Sequence, residues 1–246
     1  MYIVRSLLVF TLLVLALIPF GVMLLLFSIF IKDDRLWWWF AVPFLRTVIW
    51  GVRVIGGVQP RVHGAEHLPP KDDMRRVVLC PKHQSTWETF YFPSMTPHSL
   101  AYVFKKELLS IPIFGWAMGR LRMVPIDRSK RNEAWAKVAE EGRVLMDQGK
   151  WLIMFPEGTR TERGSKGNYK SGATRLAVAT GAYVIPIAVT SGRCWPRGTF
   201  WFKPGVVDVS IGEPIPADGR RPDELMKEIE HWIEAEVRRL DPEAYQ

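Results

Sequence analysis

The chain has 246 residues and a mass of 28.3 kDa, and 48% of its residues are hydrophobic and 24% charged, which excludes a disordered chain. Its formal charge is +8, and basic residues are concentrated between 105 and 131 and between 160 and 175. An anionic membrane or a phosphorylated ligand suits this charge. No zinc-finger, RNP or K-homology pattern is present, so we expect no nucleic-acid partner.

The first segment of the chain is strongly apolar. Residues 6–31 carry no charge and exceed the ~20 residues that span a bilayer. Pro19 lies mid-run, which allows a kink or a re-entrant hairpin, and a helix buried in a soluble core is the alternative. The aromatic cluster at 37–40 is typical of a membrane interface. We predict that residues 1–58 form membrane-anchoring helices, and that no signal peptide is cleaved, because no small-residue cleavage site follows.

After residue 58, apolar runs and helical patterns alternate. The predicted strands lie near 58–63, 76–81, 100–104, 122–126, 151–155, 183–189 and 206–211. The predicted helices cover 132–148, 171–180 and 222–240. This alternation predicts an α/β domain over residues 59–246, with a mostly parallel sheet covered by helices. Ligands of such sheets bind at the carboxyl ends of the strands.

His83 and Glu88 stand five residues apart, just after the apolar run at 77–79. A carboxylate that bonds one ring nitrogen of a histidine fixes its tautomer and stabilises the imidazolium, which suits a general base. Positions five apart do not share one face of a helix. We therefore expect His83 to lie ahead of a helix and to fold back toward Glu88. The spacing alone is common by chance.

Two cysteines, Cys80 and Cys194, are too few for a disulfide framework and fit a cytosolic domain. Cys80 and His83 could be half of a metal site, but no second Cys/His pair at zinc spacing follows, so we expect no metal.

Three further segments come in order along the chain. They are Gly119 to Arg128, the Phe-Pro-Glu-Gly-Thr-Arg stretch at 155–160, and the Val-Ile-Pro-Ile stretch at 184–187. Together with the His-x4-Glu segment, they resemble the four motifs of the glycerophosphate acyltransferase superfamily, over roughly residues 75–215. The family has Asp where this chain has Glu88, whose longer side chain is less tightly positioned.

The resemblance implies a membrane-bound enzyme of the inner (cytoplasmic) membrane, with its catalytic domain facing the cytoplasm. It would transfer an acyl chain from acyl-CoA or acyl-carrier protein to the 2-hydroxyl of 1-acyl-sn-glycerol 3-phosphate (lysophosphatidic acid), giving phosphatidic acid. A neutral His83 can take the hydroxyl proton, and Glu88 can orient it. Direct attack by the acceptor needs no cofactor. Backbone N–H groups near Gly158 could hold the oxyanion. Ser85 or Cys80 leaves a covalent mechanism as an alternative.

A phosphate-bearing acceptor needs cationic partners, and guanidinium groups bind phosphate bidentately. Arg128, on the strength of the resemblance, and Arg160 and Lys105 are the candidates. Lys170 precedes a predicted helix N-terminus, which favours anions. Glu157 is assigned to the acceptor site, with a turn or capping carboxylate as its alternative. The same turn adds two more substrate-binding candidates, Gly158 and Thr159.

Two functional alternatives stay open. One is a related acyltransferase that acts on glycerol 3-phosphate or another lysophospholipid. The other is a non-catalytic membrane protein that binds anionic phospholipid. Residues 193–205 interleave aromatic and basic side chains, and they either dip into the membrane interface or cover the core.

Overall fold

The computed structural model describes residues 1–32, 34–126 and 131–246, and the backbone alone for 131–135. Two helices, α1 (Tyr2–Phe27) and α2 (Val42–Val54), precede the sheet, and a π-helical turn leads directly into α2. α1 continues through Pro19, so the re-entrant hairpin that the sequence left open is not formed. Within the described ranges, α1 is the one helix long and apolar enough to cross a membrane.

α1 packs along the rest of the protein on one side. Leu12 lies directly against Gly51 of α2, and Ile113 against Gly21, and in both places a Cβ on the glycine would be 2.4 Å from the neighbouring side chain. On the other side, apolar residues such as Leu15 are exposed to the surroundings of the protein. α1 is therefore docked on the domain and presents a free apolar face.

The tryptophan cluster does not form a uniform interface belt. Trp37 is 2% exposed and belongs to the hydrophobic core, so the sequence interpretation was wrong for this residue. Trp39 and Trp50 are more than half exposed.

In the described parts of the chain the sheet has eight strands, and all seven predicted strands are present. They are β1 (Val58–His63), β2 (Val77–Pro81), β3 (Leu100–Lys105), β4 (Val124–Ile126), β5 (Trp151–Ile153), β6 (Tyr183–Val189), β7 (Gly205–Ile211) and β8 (Ile215–Pro216). The order is β1-β7-β6-β2-β5-β3-β4, with β8 beside β6. All pairs are parallel except β6–β7 and β6–β8. The prediction of a mostly parallel sheet is confirmed.

Helices cover both faces of the sheet. The remaining ones are α3 (Trp87–Met95), α4 (Phe114–Arg120), α5 (Arg131–Asp147), α6 (Gly172–Thr180) and α7 (Pro222–Leu240). Helix α1 contacts α2 and α4, and α2 also contacts α3, whereas α6 contacts both α5 and α7. The three predicted helices are confirmed to within about a residue at each end. Strand β2 lies between these layers, and its residues Val77 to Cys80 have no exposed surface.

This topology brings the motif residues to one edge. Strands β2, β5, β3 and β4 are neighbours and parallel, so their carboxyl ends point the same way. His83 follows β2, Glu157 follows β5, and Lys105 is the last residue of β3. Arg128 lies outside the described residues.

Candidate active site

His83 and Glu88 are in direct contact. His83 lies between β2 and α3, and its Nδ1 is 3.1 Å from Oε2 of Glu88 in the first turn of α3. A carboxylate can only accept, so Nδ1 carries the proton and Nε2 keeps its lone pair. The His83 side chain is 13% exposed and that of Glu88 is fully buried. The imidazole is therefore partly accessible from outside the protein, while the carboxylate is not.

The carboxylate of Glu88 is held by several donors at once. The backbone N–H groups of Gln84 and Ser85 donate to it over 2.9–3.1 Å, and the hydroxyl of Ser191, just after β6, donates to Oε1. These bonds require the backbone of residues 84–85 to curl around the side chain. They supply the buried carboxylate with hydrogen-bond donors.

The imidazole ring is also fixed by stacking. Its centroid is 3.8 Å from that of Phe155, the first residue of the Phe-Pro-Glu-Gly-Thr-Arg segment, with an angle of 18° between the rings. Thr161, which directly follows this segment, donates both its N–H and its hydroxyl to the backbone carbonyl of His83. The first and third motifs therefore form one unit.

Gly158 lies in a tight turn of the third motif. It has a φ of +67°, a conformation that favours glycine. Its N–H donates to the carbonyl of Phe155 over 3.1 Å. This N–H is used within the turn, so an oxyanion site near Gly158 stays a prediction that would need other N–H groups.

Two of the basic candidates lie close to this unit. A guanidinium nitrogen of Arg160 donates to the hydroxyl of Thr86, three residues after His83, over 2.7 Å. Lys170 is exposed, and its Nζ lies 3.4 Å from where a Cβ of Gly158 would be. Thr159 is exposed on the same turn. Lys105 is exposed at the end of β3, two strands away from β2.

Glu157 is buried behind His83, away from the exposed cations. Its Oε1 accepts from Nζ of Lys82 and from the backbone N–H of His83, each over 3.4 Å. Burial raises the pKa of Glu157 to about 7, although the charge of Lys82 acts in the opposite direction. The same lysine contacts Glu234 of α7 over 2.6 Å, and Glu234 accepts from the hydroxyl of Tyr169.

Sequence reasoning missed Lys82, Glu234 and Ser191. Lys82 carries a weak signal, because a lysine directly after a fully apolar strand and before His83 must either emerge or find buried partners. Ser191 lies just after β6, the strand that carries the fourth motif and pairs with β2. Glu234 lies in an amphipathic helix with many acidic residues, and nothing in the sequence distinguishes it from its neighbours.

The two residues that supported a covalent mechanism are not arranged as nucleophiles. Cys80 is fully buried within β2, and burial raises the pKa of its thiol. Ser85 is also fully buried, and its hydroxyl accepts a hydrogen bond from the N–H of Trp87 over 2.8 Å. The Nδ1 position of His83 is occupied by Glu88.

The aromatic segment at 193–205 mainly covers the core. Trp195 and Phe202 are buried, and both contact Phe10 of α1. Phe200 and Trp201, in contrast, are 71% and 41% exposed. The segment thus joins the N-terminal helix to the domain and leaves two aromatic side chains beside it.

Comparisons with known proteins identify the family of this chain. The acyltransferase family profile matches residues 59–190. The chain is 38% identical over 200 residues to the 1-acyl-sn-glycerol-3-phosphate acyltransferase of Pseudomonas aeruginosa, covering 80% of this chain and 76% of that protein. It is 29% identical over 182 residues to the human 1-acyl-sn-glycerol-3-phosphate acyltransferase alpha, covering 74% of this chain and 63% of that protein. The chain belongs to the acyltransferase family.

A solved structure shows the same fold. The crystal structure of the 1-acyl-sn-glycerophosphate (LPA) acyltransferase PlsC from Thermotoga maritima matches with a TM-score of 0.81 at 24% identity. The match covers 98% of this chain and 96% of that one, and therefore includes the N-terminal helices.

Proposed function

We propose that this acyltransferase moves an acyl chain from acyl-CoA or acyl-carrier protein to the 2-hydroxyl of 1-acyl-sn-glycerol 3-phosphate, giving phosphatidic acid. The observation that carries the proposal is the contact between Nδ1 of His83 and the buried carboxylate of Glu88, at a strand edge that also holds basic residues. The names of the relatives support the choice of acceptor.

The chemical step follows from the orientation of the imidazole. Nε2 of His83 takes the proton of the acceptor hydroxyl as its oxygen attacks the thioester carbonyl. Glu88 stabilises the imidazolium that forms. The new C–O bond gives a tetrahedral intermediate, whose C–S bond then breaks, and His83 returns the proton to the leaving thiolate. No step requires a metal, a cofactor or an acyl-enzyme.

The acceptor phosphate is assigned to the cations beside this pair. Arg160 follows the turn that packs against the His83 loop, the side chain of Lys170 lies beside that turn, and Lys105 is further along the same edge. Arg128 completes the set by its position in the family motif, together with Gly158 and Thr159 of the turn. Glu157 contributes indirectly, because its carboxylate holds the backbone of His83 and not an exposed surface.

The N-terminal helices, residues 1–58, are proposed to attach the enzyme to the bilayer. The free face of α1 and the exposed Trp39, Trp50 and Phe200 would lie in lipid or at its interface. Because acceptor and product are both lipids and the donors are cytosolic, we place the enzyme on the cytoplasmic face of the inner membrane.

The acceptor assignment is tested with purified enzyme in lipid vesicles. Labelled acyl-CoA and acyl-carrier protein are each offered with lysophosphatidic acid, glycerol 3-phosphate or lysophosphatidylcholine. We expect labelled phosphatidic acid from lysophosphatidic acid, and a KM for this acceptor that rises roughly 10- to 100-fold in Arg160→Lys, because an ammonium cannot bind phosphate bidentately. Equal turnover of lysophosphatidylcholine would contradict recognition of the bare phosphate. Product from glycerol 3-phosphate would favour the related acyltransferase.

A further inference from the structure

Lys82 is a cation without any access to solvent. It directly precedes His83, and its side chain has an exposure of 0%. Its Nζ contacts three oxygens: Oε1 of Glu157, Oε1 of Glu234 and the backbone carbonyl of Ser165. A lysine at this depth carries a large desolvation penalty, which only such partners offset.

The partners come from three separate parts of the chain. Glu157 belongs to the turn after β5, Ser165 to the loop that follows it, and Glu234 to the middle of α7. Tyr169 is connected to the same group of side chains, because its hydroxyl donates to Glu234 over 2.8 Å. Lys82 therefore ties the 157–170 segment and α7 to the end of β2.

The segment that Lys82 holds also binds the backbone of His83, at its N–H and at its carbonyl. Glu157 accepts from the His83 N–H, and Thr161 donates to the His83 carbonyl. Between them lies Arg160, which we assign to the acceptor phosphate. The distance between the imidazole and the phosphate-binding turn therefore depends on where Lys82 holds Glu157.

The cluster is a poor source of stability. Oε2 of Glu157 and Oε2 of Glu234 are buried and have no hydrogen-bond partner in the part of the chain that the structure describes. Apolar or neutral side chains of similar volume commonly replace buried ion pairs at no cost in stability. The contacts among Lys82, Glu157 and Glu234 are better explained by the positions in which they hold the neighbouring segments of the chain.

We propose that Lys82 is a positioning residue, which holds the Glu157 turn in register with His83 and is itself anchored by Glu234. The inference rests on the proposed function, since it concerns the alignment of base and acceptor. Lys82 touches neither substrate. Its loss should lower kcat through misalignment while both substrates still bind.

The test compares Lys82→Met with the double variant Lys82→Met/Glu234→Gln. The single variant leaves Glu234 without its cation and is expected to be destabilised. The double variant also removes that charge and should regain most of the lost Tm. The matched control is Lys150→Met. Lys150 is also a nearly buried lysine paired with a carboxylate, Asp34, but at the opposite edge of the sheet, before β5.

Acyl transfer is measured in vesicles at a temperature where every variant is folded. We expect kcat to fall about 10²-fold in both Lys82 variants, the loss associated with a misplacement of about 1 Å, and each KM to change less than about threefold. Lys150→Met should keep the wild-type kcat.

Two results would overturn the proposal. One is a double variant that regains both Tm and kcat, which would give Lys82 a structural role alone. The other is an equal loss of kcat in Lys150→Met. A wild type that is folded but transfers no acyl group to any acceptor would instead refute the proposed function, and the inference with it.

Discussion

The hydroxyl of Ser191 donates a hydrogen bond to Oε1 of Glu88, across 103 residues of sequence. Ser191 follows β6, and Glu88 lies on the helix after β2, which is the neighbouring strand. The segment just after the strand that carries the fourth motif therefore supports the carboxylate of the first motif.

Replacing Ser191 with alanine should lower kcat about 10-fold, because a hydrogen bond to a buried charged group contributes ~1.5–3 kcal/mol. Ser210→Ala is a matched control, since Ser210 also donates to a glutamate, Glu236, but joins β7 to α7. Steady-state kinetics of both variants give the comparison. Equal kcat values in the two would exclude a specific role of Ser191.

The role of Glu88 can be tested with one variant that removes its charge and one that shortens its side chain. Glu88→Gln keeps the shape but no longer favours the tautomer with a free Nε2, and we expect kcat to fall roughly 10²- to 10⁴-fold. Glu88→Asp restores the family's residue and should lose less. If the glutamine variant were the more active of the two, the carboxylate would not be orienting His83.

The raised pKa of Glu157 predicts that the stability of the protein depends on pH. Its folded-state pKa is about 7 and its ordinary value is 4.5, so the folded protein binds the proton more tightly than the unfolded chain. The stabilisation that comes from this bound proton is complete below the ordinary pKa of 4.5. It is lost as the pH rises through about 7, which lowers the free energy of unfolding by roughly 3 kcal/mol. Thermal unfolding at pH 5 to 8 should therefore show the wild type losing Tm relative to Glu157→Gln. Parallel Tm curves for the two proteins would contradict the raised pKa.

A charged residue in place of Leu15 tests whether the exposed face of α1 enters the membrane. It is 65% exposed, and an arginine at the centre of a membrane-inserted helix costs ~2.5–3.5 kcal/mol. Leu15→Arg should lower the partition coefficient into vesicles by roughly 10²-fold, measured by flotation. Val144→Arg is the control, because Val144 is a partly exposed residue of α5 on the other face of the sheet. An equal loss in both variants would show that α1 is not the attachment site.

The sequence predicted the fold well because the sheet is regular. Each central strand of a parallel sheet is a short apolar run bounded by turn residues, and such runs are easy to recognise. β8 was missed because it has only two residues, and α4 because Phe114–Arg120 lacks a clear apolar periodicity. The expectation for Trp37 failed because residues that pack between two helices have the same composition as residues that face lipid.

The candidate site was predicted where its parts are close in sequence. The contact between His83 and Glu88 follows from one loop and one helix start, so spacing was sufficient to suggest it. The contacts of Glu88 with Ser191 and of Lys82 with Glu234 join strands and helices that meet only in the folded sheet. The burial of Glu157 likewise depends on where α7 packs, which no local pattern reports.

The most direct measurement is acyl transfer from a labelled donor to lysophosphatidic acid by the wild type and by His83→Ala, in vesicles with equal amounts of folded protein. We expect labelled phosphatidic acid from the wild type, and a rate at least about 10²-fold lower from the variant, because the base that takes the hydroxyl proton is gone. Full activity of His83→Ala would contradict the assignment of His83 as the general base.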